Sequence, residues 1–311
     1  MELFKSIHHL IKSLRDRKSC MEFLEEHRWQ GIPICPHCNS QSEKHYKLKF
    51  GGEFNGLYKC RCCKKRFTVT MGTIFEGSNV PLDKWFYAIS LFLSHKKGIS
   101  SIQLSKDINV TQKTAWFMLS RIRYNLQEAI ELDSFEGEVQ ADETYVGGKN
   151  KGRIWQNHNN QGRSTKQKVP VVGLLTKDKV SAFVVPDVSG KTLRIIIDSL
   201  VKPGSIVVTD GWKGYLGISD FYVHKVVEHS KGSYVNKEGY HTNGIEGFWS
   251  QLKRGIKGIY HVVSPKFLQY YCNEFAYRYN TRKITDIQRF IQFTSTTHKK
   301  LRYSDLIRKA A

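Results

Sequence analysis

The chain has 311 residues, of which 40% are apolar, and its 49 Lys and Arg against 28 Asp and Glu give a net charge of +21. This length supports one sizeable core plus one or two small modules. The charge is typical of a protein that binds a polyanion such as nucleic acid, with a basic protein of another role as the alternative.

The N-terminal residues are broken by charge every few positions and lack the apolar core of a signal peptide. No apolar run in the sequence approaches the length of a membrane span. We therefore expect a cytoplasmic protein with no membrane partner. In that compartment the seven cysteines should be reduced rather than paired in disulfides.

A four-cysteine motif in residues 31–75 follows a predicted helical segment, residues 1–30. Two C-x-x-C pairs are separated by 21 residues, and this insert predicts a β-hairpin with glycine-rich turns at 51–52 and 55–56. Two such pairs can close a tetrahedral Zn²⁺ site with no open position, which makes the ion structural. We therefore predict a zinc ribbon whose ligands are Cys35, Cys38, Cys60 and Cys63.

Residues 80–132 have helical periodicity, and a short turn at 108–110 separates the last two predicted helices. Ser100 or Ser101 can cap the first helix of this pair and Thr111 the second. The pair is typical of a helix-turn-helix, whose second helix enters the major groove of DNA, with an ordinary helical hairpin as the alternative. Its predicted DNA contacts are Thr111, Gln112 and Lys113 at the start of the second helix, with Arg121 and Arg123 reaching phosphates.

Strand-like and helix-like segments alternate in residues 135–285, which predicts an α/β domain with a mixed five-stranded sheet covered by helices. Asp142 and Asp210 lie in two of the strands, and Glu246 begins a helix. Lys253 follows Glu246 by seven residues, so both side chains point the same way. Divalent cations prefer oxygen ligands, and paired Mg²⁺ ions can activate both oxygens exchanged at a phosphodiester. The trio therefore indicates cutting or joining of nucleic acid.

Each of the three acids also has a structural interpretation. Asp210 precedes Gly211 and could simply begin a loop, and a Glu on a helix is usually a surface residue. Asp142 is unfavourable within a strand unless something offsets its charge. The neighbouring Glu143 points to the other strand face, where it could pair with a basic residue, so we prefer Asp142 as the ligand.

Each of two basic segments has two possible interpretations. The stretch 147–168 has six basic residues and no acids, and it is either a solvated surface loop or a nucleic-acid clamp. Residues 286–311 form a basic C-terminal tail, which either packs on the protein or contacts DNA.

Seven segments of the sequence resemble the DDE-type transposases of bacterial insertion sequences that carry an N-terminal zinc ribbon. They occur in the same order between about residue 20 and residue 282: CPHC, YKCRCCKKRFTVTMGTIF, LDKWFYAI, ADETYVGGK, VVTDGWKGY, HTNGIEGFWSQLKRGIKGIYH and NEFAYRYNTR. The resemblance implies a ribonuclease H-like fold for the α/β domain. It also implies that Asp142, Asp210 and Glu246 bind catalytic Mg²⁺, for which Mn²⁺ can substitute.

The third ligand has two candidates, because relatives of this kind carry either Glu or Asn at that place. Asn243 lies one helical turn before Glu246 and shares its face. We prefer Glu246, since a carboxylate binds Mg²⁺ better than an amide and since Lys253 is two turns away. Asn243 is then an auxiliary ligand or a DNA contact.

The resemblance implies a transposase that binds the terminal inverted repeats of its element and catalyses strand cleavage and strand transfer with two metal ions. Lys253 and Arg254 would hold phosphates near the metals. The expected partner is double-stranded element and target DNA, bound by a dimer or larger homo-oligomer in the nucleoid of a bacterium or archaeon. The alternatives are a non-catalytic zinc-ribbon and helix-turn-helix regulator derived from a transposase, and a related nuclease that cuts without joining.

Overall fold

The computed structural model describes residues 6–129, 134–147, 168–218, 221–228, 235–297 and 300–307. The chain divides into a first unit, residues 1–129 with 283–311, and a second unit, residues 130–282. Most of the basic stretch 147–168 lies outside the described residues. No helix in the described ranges is both long and apolar enough to cross a membrane.

In chain order the described elements are α1 (Ile7–Ser13), α2 (Arg17–Trp29), β1 (Tyr46–Phe50), β2 (Glu53–Lys59), β3 (Arg66–Phe67), α3 (Leu82–Ser94), α4 (Ser101–Asp107), α5 (Gln112–Ala129), β4 (Glu138–Val146), β5 (Val169–Leu175), β6 (Val180–Val184), α6 (Gly190–Leu200), β7 (Ile206–Asp210), β8 (Val223–Val227), α7 (Asn243–Gly255), α8 (Leu268–Asn280), α9 (Asp286–Ser295) and α10 (Tyr303–Ile307). A π-helical turn, Ile256–Tyr260, continues directly from α7.

The first unit combines a small antiparallel sheet with a helical core. The sheet has the order β1-β2-β3, and Gly51 and Gly52 form the turn of its β1–β2 hairpin with positive φ angles of 58° and 86°. The second turn predicted at 55–56 lies instead inside β2, where the register of the hairpin shifts. Such a shift lets the strand absorb extra residues without reversing direction.

The C-terminal tail belongs to the core of this first unit through α9. The ring of Phe290 lies 5.6 Å from that of Phe86 on α3 and 5.9 Å from that of Phe23 on α2. The guanidinium of Arg289 donates to the carbonyl of Leu93 at 2.9 Å. Of the two roles left open for this tail, packing is therefore observed for α9.

The second unit is built on a five-stranded sheet with the order β6-β5-β4-β7-β8. The pairs β4–β5 and β5–β6 are antiparallel, whereas β4–β7 and β7–β8 are parallel. Successive side chains of β5 pack into hydrophobic cores on opposite faces of the sheet. Val171 packs with residues of α7 and α8, and Val172 packs with residues of α6. This sheet with helices on both faces confirms the predicted ribonuclease H-like α/β fold.

Candidate active site

Asp142 and Asp210 lie at the same level of two neighbouring parallel strands. The pairing of β4 with β7 ends with Gln140 opposite Val208, and both acids follow two residues later. Because strand side chains alternate, the two carboxylates share one face of the sheet. The negative charge of Asp210 also contributes to the raised pKa of Asp142, as expected for two carboxylates near each other.

The carboxyl group of Asp142 is unusually hard to ionise in the metal-free protein. Burial raises its pKa to about 7, and the charges of Glu143 and Asp210 act in the same direction. A hydrogen bond of 3.0 Å from Trp249 Nε1 to Oδ2 opposes this shift without cancelling it. A bound cation would offset this concentration of negative charge, so the donor set fits a divalent metal.

Glu143, the next residue of β4, is held on the opposite face. Its Oε2 accepts a hydrogen bond of 3.1 Å from the buried hydroxyl of Tyr215. Burial and the charge of Glu143 raise the pKa of Tyr215 well above its usual value. Asp142 is thus the acid of β4 on the face shared with Asp210.

Helix α7 is attached to β4 by two hydrogen bonds from successive turns. Gln140 Oε1 accepts the backbone N–H of Ile245 at 3.0 Å, and Trp249 donates to Asp142. The side chains of Ile245 and Trp249 are buried against the sheet. These contacts place the first two turns of α7 beside the strand that carries Asp142.

The predicted residues of α7 lie on two levels of this helix. Asn243 and Glu246 are exposed in its first turn, and Glu246 Oε1 accepts a hydrogen bond of 3.1 Å from Thr242. Lys253 is partly buried two turns later. Burial lowers its pKa, and the negative charge of Asp142 opposes this, which indicates that Lys253 lies near that carboxylate. Arg254 is exposed, and its Nε donates to the carbonyl of Ser250 at 3.2 Å.

The three acids are not drawn into one tight cluster. In the described part of the chain, the four cysteines of the ribbon are the only group of three or more His, Cys, Asp or Glu with ligand atoms within 4.8 Å of one another. Asp142 and Asp210 lie on neighbouring strands, and Glu246 lies on α7, which packs on β4. Acids on separate elements can share two ions rather than one.

The four predicted zinc ligands do come together in the first unit. The Sγ atoms of Cys35 and Cys63 are 3.7 Å apart and those of Cys38 and Cys60 are 3.6 Å apart. A tetrahedral ion with Zn–S bonds of about 2.3 Å requires S–S edges of about 3.8 Å. Burial raises the pKa of the Cys60 thiol, but backbone N–H groups of Cys63 and Cys62 outweigh it and lower the pKa to about 6. The site thus fits structural Zn²⁺.

His45 is a residue of the ribbon that the sequence did not single out. Its Nδ1 accepts the backbone N–H of Arg61 at 3.2 Å, which leaves Nε2 to donate to the carbonyl of Ser40 at 3.0 Å. The ring is buried and lies edge-on to Phe67. His45 therefore links the two cysteine-bearing turns. The sequence offers one indication of this role, which is the position of His45 just before a strand near the cysteine motif.

The predicted helix pair of the first unit is formed by α4 and α5. The hydroxyl of Ser100 accepts an N–H in the first turn of α4, and that of Thr111 does the same for α5. The intervening turn contains Asn109 with a positive φ of 49°. Thr111, Gln112 and Lys113 are exposed at the beginning of α5. The two predicted helices and their caps are therefore present, and DNA binding by the pair stays a prediction.

Arg121 and Arg123 correct the predicted set of phosphate contacts. Their exposed fractions are only 4% and 2%. Arg121 donates to the carbonyls of Leu301 at 3.0 Å and Ile74 at 2.7 Å, and Arg123 lies over the ring of Phe92. This burial is incompatible with the expectation that they reach phosphates. Helical spacing indicates this burial, because each arginine follows an inward-facing position of α5 by three or four residues.

Comparisons with known proteins agree with the two-part organisation. Residues 134–280 match the family described as the ISXO2-like transposase domain, and residues 15–66 match the transposase zinc-ribbon domain. An uncharacterized protein in transposable element ISH50 of Halobacterium salinarum is 28% identical over 264 residues, 79% of this chain and 85% of that protein. An uncharacterized transposase-like protein of Haemophilus influenzae is 36% identical over 110 residues, 35% of this chain and 86% of that protein.

Solved structures similar to this chain are distant. The Mos1 strand transfer complex is 11% identical and matches 70% of this chain and 79% of that chain with a TM-score of 0.21. The Mos1 transposase paired-end complex with left transposon end is 11% identical and matches 69% of this chain and 80% of that chain, with a TM-score of 0.22. The ribonuclease H-like fold follows from the strand order of the second unit.

Proposed function

The chain belongs to the insertion-sequence transposases that join a zinc-ribbon domain to an ISXO2-like transposase domain, and from this we propose that it binds the ends of its element and cleaves and joins DNA with metal ions. The observation that carries the proposal is the pair Asp142 and Asp210 on one face of the central strands, with Lys253 near Asp142. Two carboxylates on one face can hold the divalent ions that assist phosphodiester chemistry.

In this proposal Asp142 and Asp210 hold Mg²⁺, or Mn²⁺ in its place, and Glu246 completes the donor set from α7. When bound, the ions activate the attacking oxygen and stabilise the leaving 3′ oxygen. The residues of the chain supply position and charge. Gln140 and Trp249 fix α7 against β4, which sets the distance between the acids of the two elements.

Lys253 is proposed to bind a phosphate oxygen next to the carboxylate pair. Its partial burial beside Asp142 limits the positions that the ammonium group can take. Arg254 follows it and is exposed at the end of α7, where it can contact a phosphate further along the strand. The two residues would therefore hold two neighbouring parts of the DNA backbone near the carboxylate pair.

The preference for Glu246 over Asn243 as third ligand rests on helix geometry. Successive helical residues rotate by about 100°, so Lys253 lies about 20° from Glu246 but about 80° from Asn243 around the axis of α7. Since Lys253 is near Asp142, the residue that shares its direction is the better candidate. Asn243 is then placed at the edge of the site, as an auxiliary ligand or a DNA contact.

The first unit is proposed to bind the terminal inverted repeats. The net charge of +21 favours a polyanionic partner, and the exposed start of α5 offers Thr111, Gln112 and Lys113 to the major groove. The ribbon would be held in shape by Zn²⁺ on its four cysteines. Two element ends must be joined in one complex, so the active form is proposed to be a dimer or larger.

The test is a gel assay with Mg²⁺ on DNA that carries the terminal repeats of the element, followed by strand transfer with pre-cut ends. Asp142→Asn should abolish cleavage and joining while end binding persists. Glu138→Gln is the matched control, because Glu138 is an exposed acid of the same strand. Binding without cleavage by the unaltered protein would favour the regulator, and cleavage without joining would favour the nuclease.

A further inference from the structure

The indole of Trp249 makes a specific polar contact with the proposed metal ligand Asp142. Its Nε1 lies 3.0 Å from Oδ2 of Asp142, and the side chain is only 4% exposed. An indole has one N–H donor and no acceptor, so it restrains one carboxylate oxygen and is not itself a metal ligand. A buried indole N–H usually finds a hydrogen-bond partner, and here that partner is the carboxylate of the proposed metal ligand.

The neighbouring strand is shaped to admit this contact. Gly173 of β5 is the direct partner of Asp142 across the sheet. A Cβ at this glycine would lie 2.6 Å from Cζ2 and 2.7 Å from Cη2 of Trp249, closer than real side chains approach. The indole therefore lies directly over the backbone of Gly173, and its orientation toward Asp142 depends on the missing side chain.

We propose that Trp249 is a positioning residue for the metal-dependent reaction, which holds the Asp142 carboxylate in the orientation that binds the cation. The inference rests on the proposed function. A carboxylate rotates freely about its last side-chain bond unless a partner fixes it. The rigid indole removes that freedom before the ion arrives, and such preorganisation lowers the entropy cost of binding.

The test compares metal binding by the full-length, zinc-loaded protein and its variants. Trp249→Phe keeps an aromatic ring in the core and removes the N–H donor. Mn²⁺ binding, followed by the electron paramagnetic resonance signal of the free ion, should weaken about tenfold, roughly the effect of losing one hydrogen bond to a charged group. The Mg²⁺ concentration that gives half-maximal cleavage should rise by a similar factor.

Phe248→Leu is the matched control for lost packing. Phe248 is the buried neighbour of Trp249 on α7 and has no polar atom, so this variant should lose stability and keep the Mn²⁺ affinity of the unaltered protein. Gly173→Ala keeps the N–H but displaces the indole, and should weaken Mn²⁺ binding like Trp249→Phe. In the double variant, Gly173→Ala should change the Mn²⁺ affinity of Trp249→Phe little, because the smaller phenyl ring has no N–H donor to displace.

Equal Mn²⁺ affinity in Trp249→Phe and the unaltered protein would overturn the inference. So would an equal loss in Phe248→Leu, because the effect would then come from packing. Failure of the unaltered protein to cleave element ends would overturn the proposed function instead. In that case the Mn²⁺ titration would still decide the role of Trp249.

Discussion

Gln140 of β4 caps α7, since its Oε1 accepts the backbone N–H of Ile245 in the first turn of that helix. The residue before α7, Thr242, makes no such bond, and its hydroxyl donates to Glu246 instead. The first N–H groups of a helix have no partners within it. A strand side chain therefore supplies the cap and fixes the helix that carries Glu246 to the strand that carries Asp142.

Replacing Gln140 by Leu should destabilise the second unit and displace the start of α7. The buried N–H of Ile245 would lose its acceptor, which costs about 1–3 kcal/mol. Thermal unfolding should show a lower Tm, and cleavage should fall more than end binding. Gln288→Leu is the contrasting variant, because Gln288 Oε1 accepts the backbone N–H of Thr285 at the cap of α9 in the first unit. It should not displace the start of α7. An unchanged Tm for the Gln140 variant would contradict the capping role.

Asp142→Asn should stabilise the Mg²⁺-free protein in a pH-dependent way. The pKa of Asp142 is about 7 in the folded chain, against 3.8 for an ordinary Asp. The folded state thus holds this proton more tightly, and stability is lost as pH rises through the window from about 4 to 7. At pH 8 the variant should be more stable by about 2–4 kcal/mol, and at pH 4 the difference should vanish. Denaturant unfolding in Mg²⁺-free buffer measures both values.

Glu246→Gln should reduce cleavage at least about a hundredfold, whereas Asn243→Ala should leave a measurable rate. The carboxylate is the stronger Mg²⁺ ligand, and it shares the helical direction of Lys253. Both residues are exposed, so neither change should alter Tm by more than a degree or two. Single-turnover cleavage in Mg²⁺ and in Mn²⁺ provides the comparison. The reverse order of effects would assign the third place to Asn243.

Lys113→Ala should change DNA affinity and not Tm, whereas Arg121→Ala should lower Tm. Lys113 is exposed at the start of α5, so its loss should weaken DNA binding and leave Tm nearly unchanged. Arg121 is buried and donates to backbone carbonyls, so its loss should lower Tm by several degrees. Fluorescence anisotropy at several salt concentrations and a thermal scan separate the two. A stable Arg121→Ala that binds DNA weakly would restore the phosphate role.

Cys63→Ser should release zinc and unfold the ribbon, because it removes one of four ligands. Cys62→Ser is the internal control, since Cys62 is adjacent and exposed but lies outside the ligand group. Zinc content measured by atomic absorption should fall only in the first variant. End binding should fall with it if the ribbon helps to hold DNA. Full zinc retention by Cys63→Ser would exclude the four-cysteine site.

Local sequence patterns were sufficient for the elements that carry the chemistry. Cysteine spacing identified the zinc ligands that the structure brings together, and strand alternation separated Asp142 from Glu143. Both patterns depend on contacts between residues near each other in the chain, so the sequence encodes them directly. Helical spacing also predicts a buried position for Arg123, although its positive charge favours the surface.

The assembly of the site depended on residues far apart in the sequence. Ile245 meets Gln140 across 105 positions, and Trp249 meets Asp142 across 107. No local sequence pattern specifies these two hydrogen bonds, because they depend on the close packing of α7 over Gly173. The sequence by itself thus determined the cysteine cluster and the class of fold, and it predicted the three acids of the proposed site. Only the tertiary structure decided how Asp142 is held and which arginines are removed from solvent, since packing sets both.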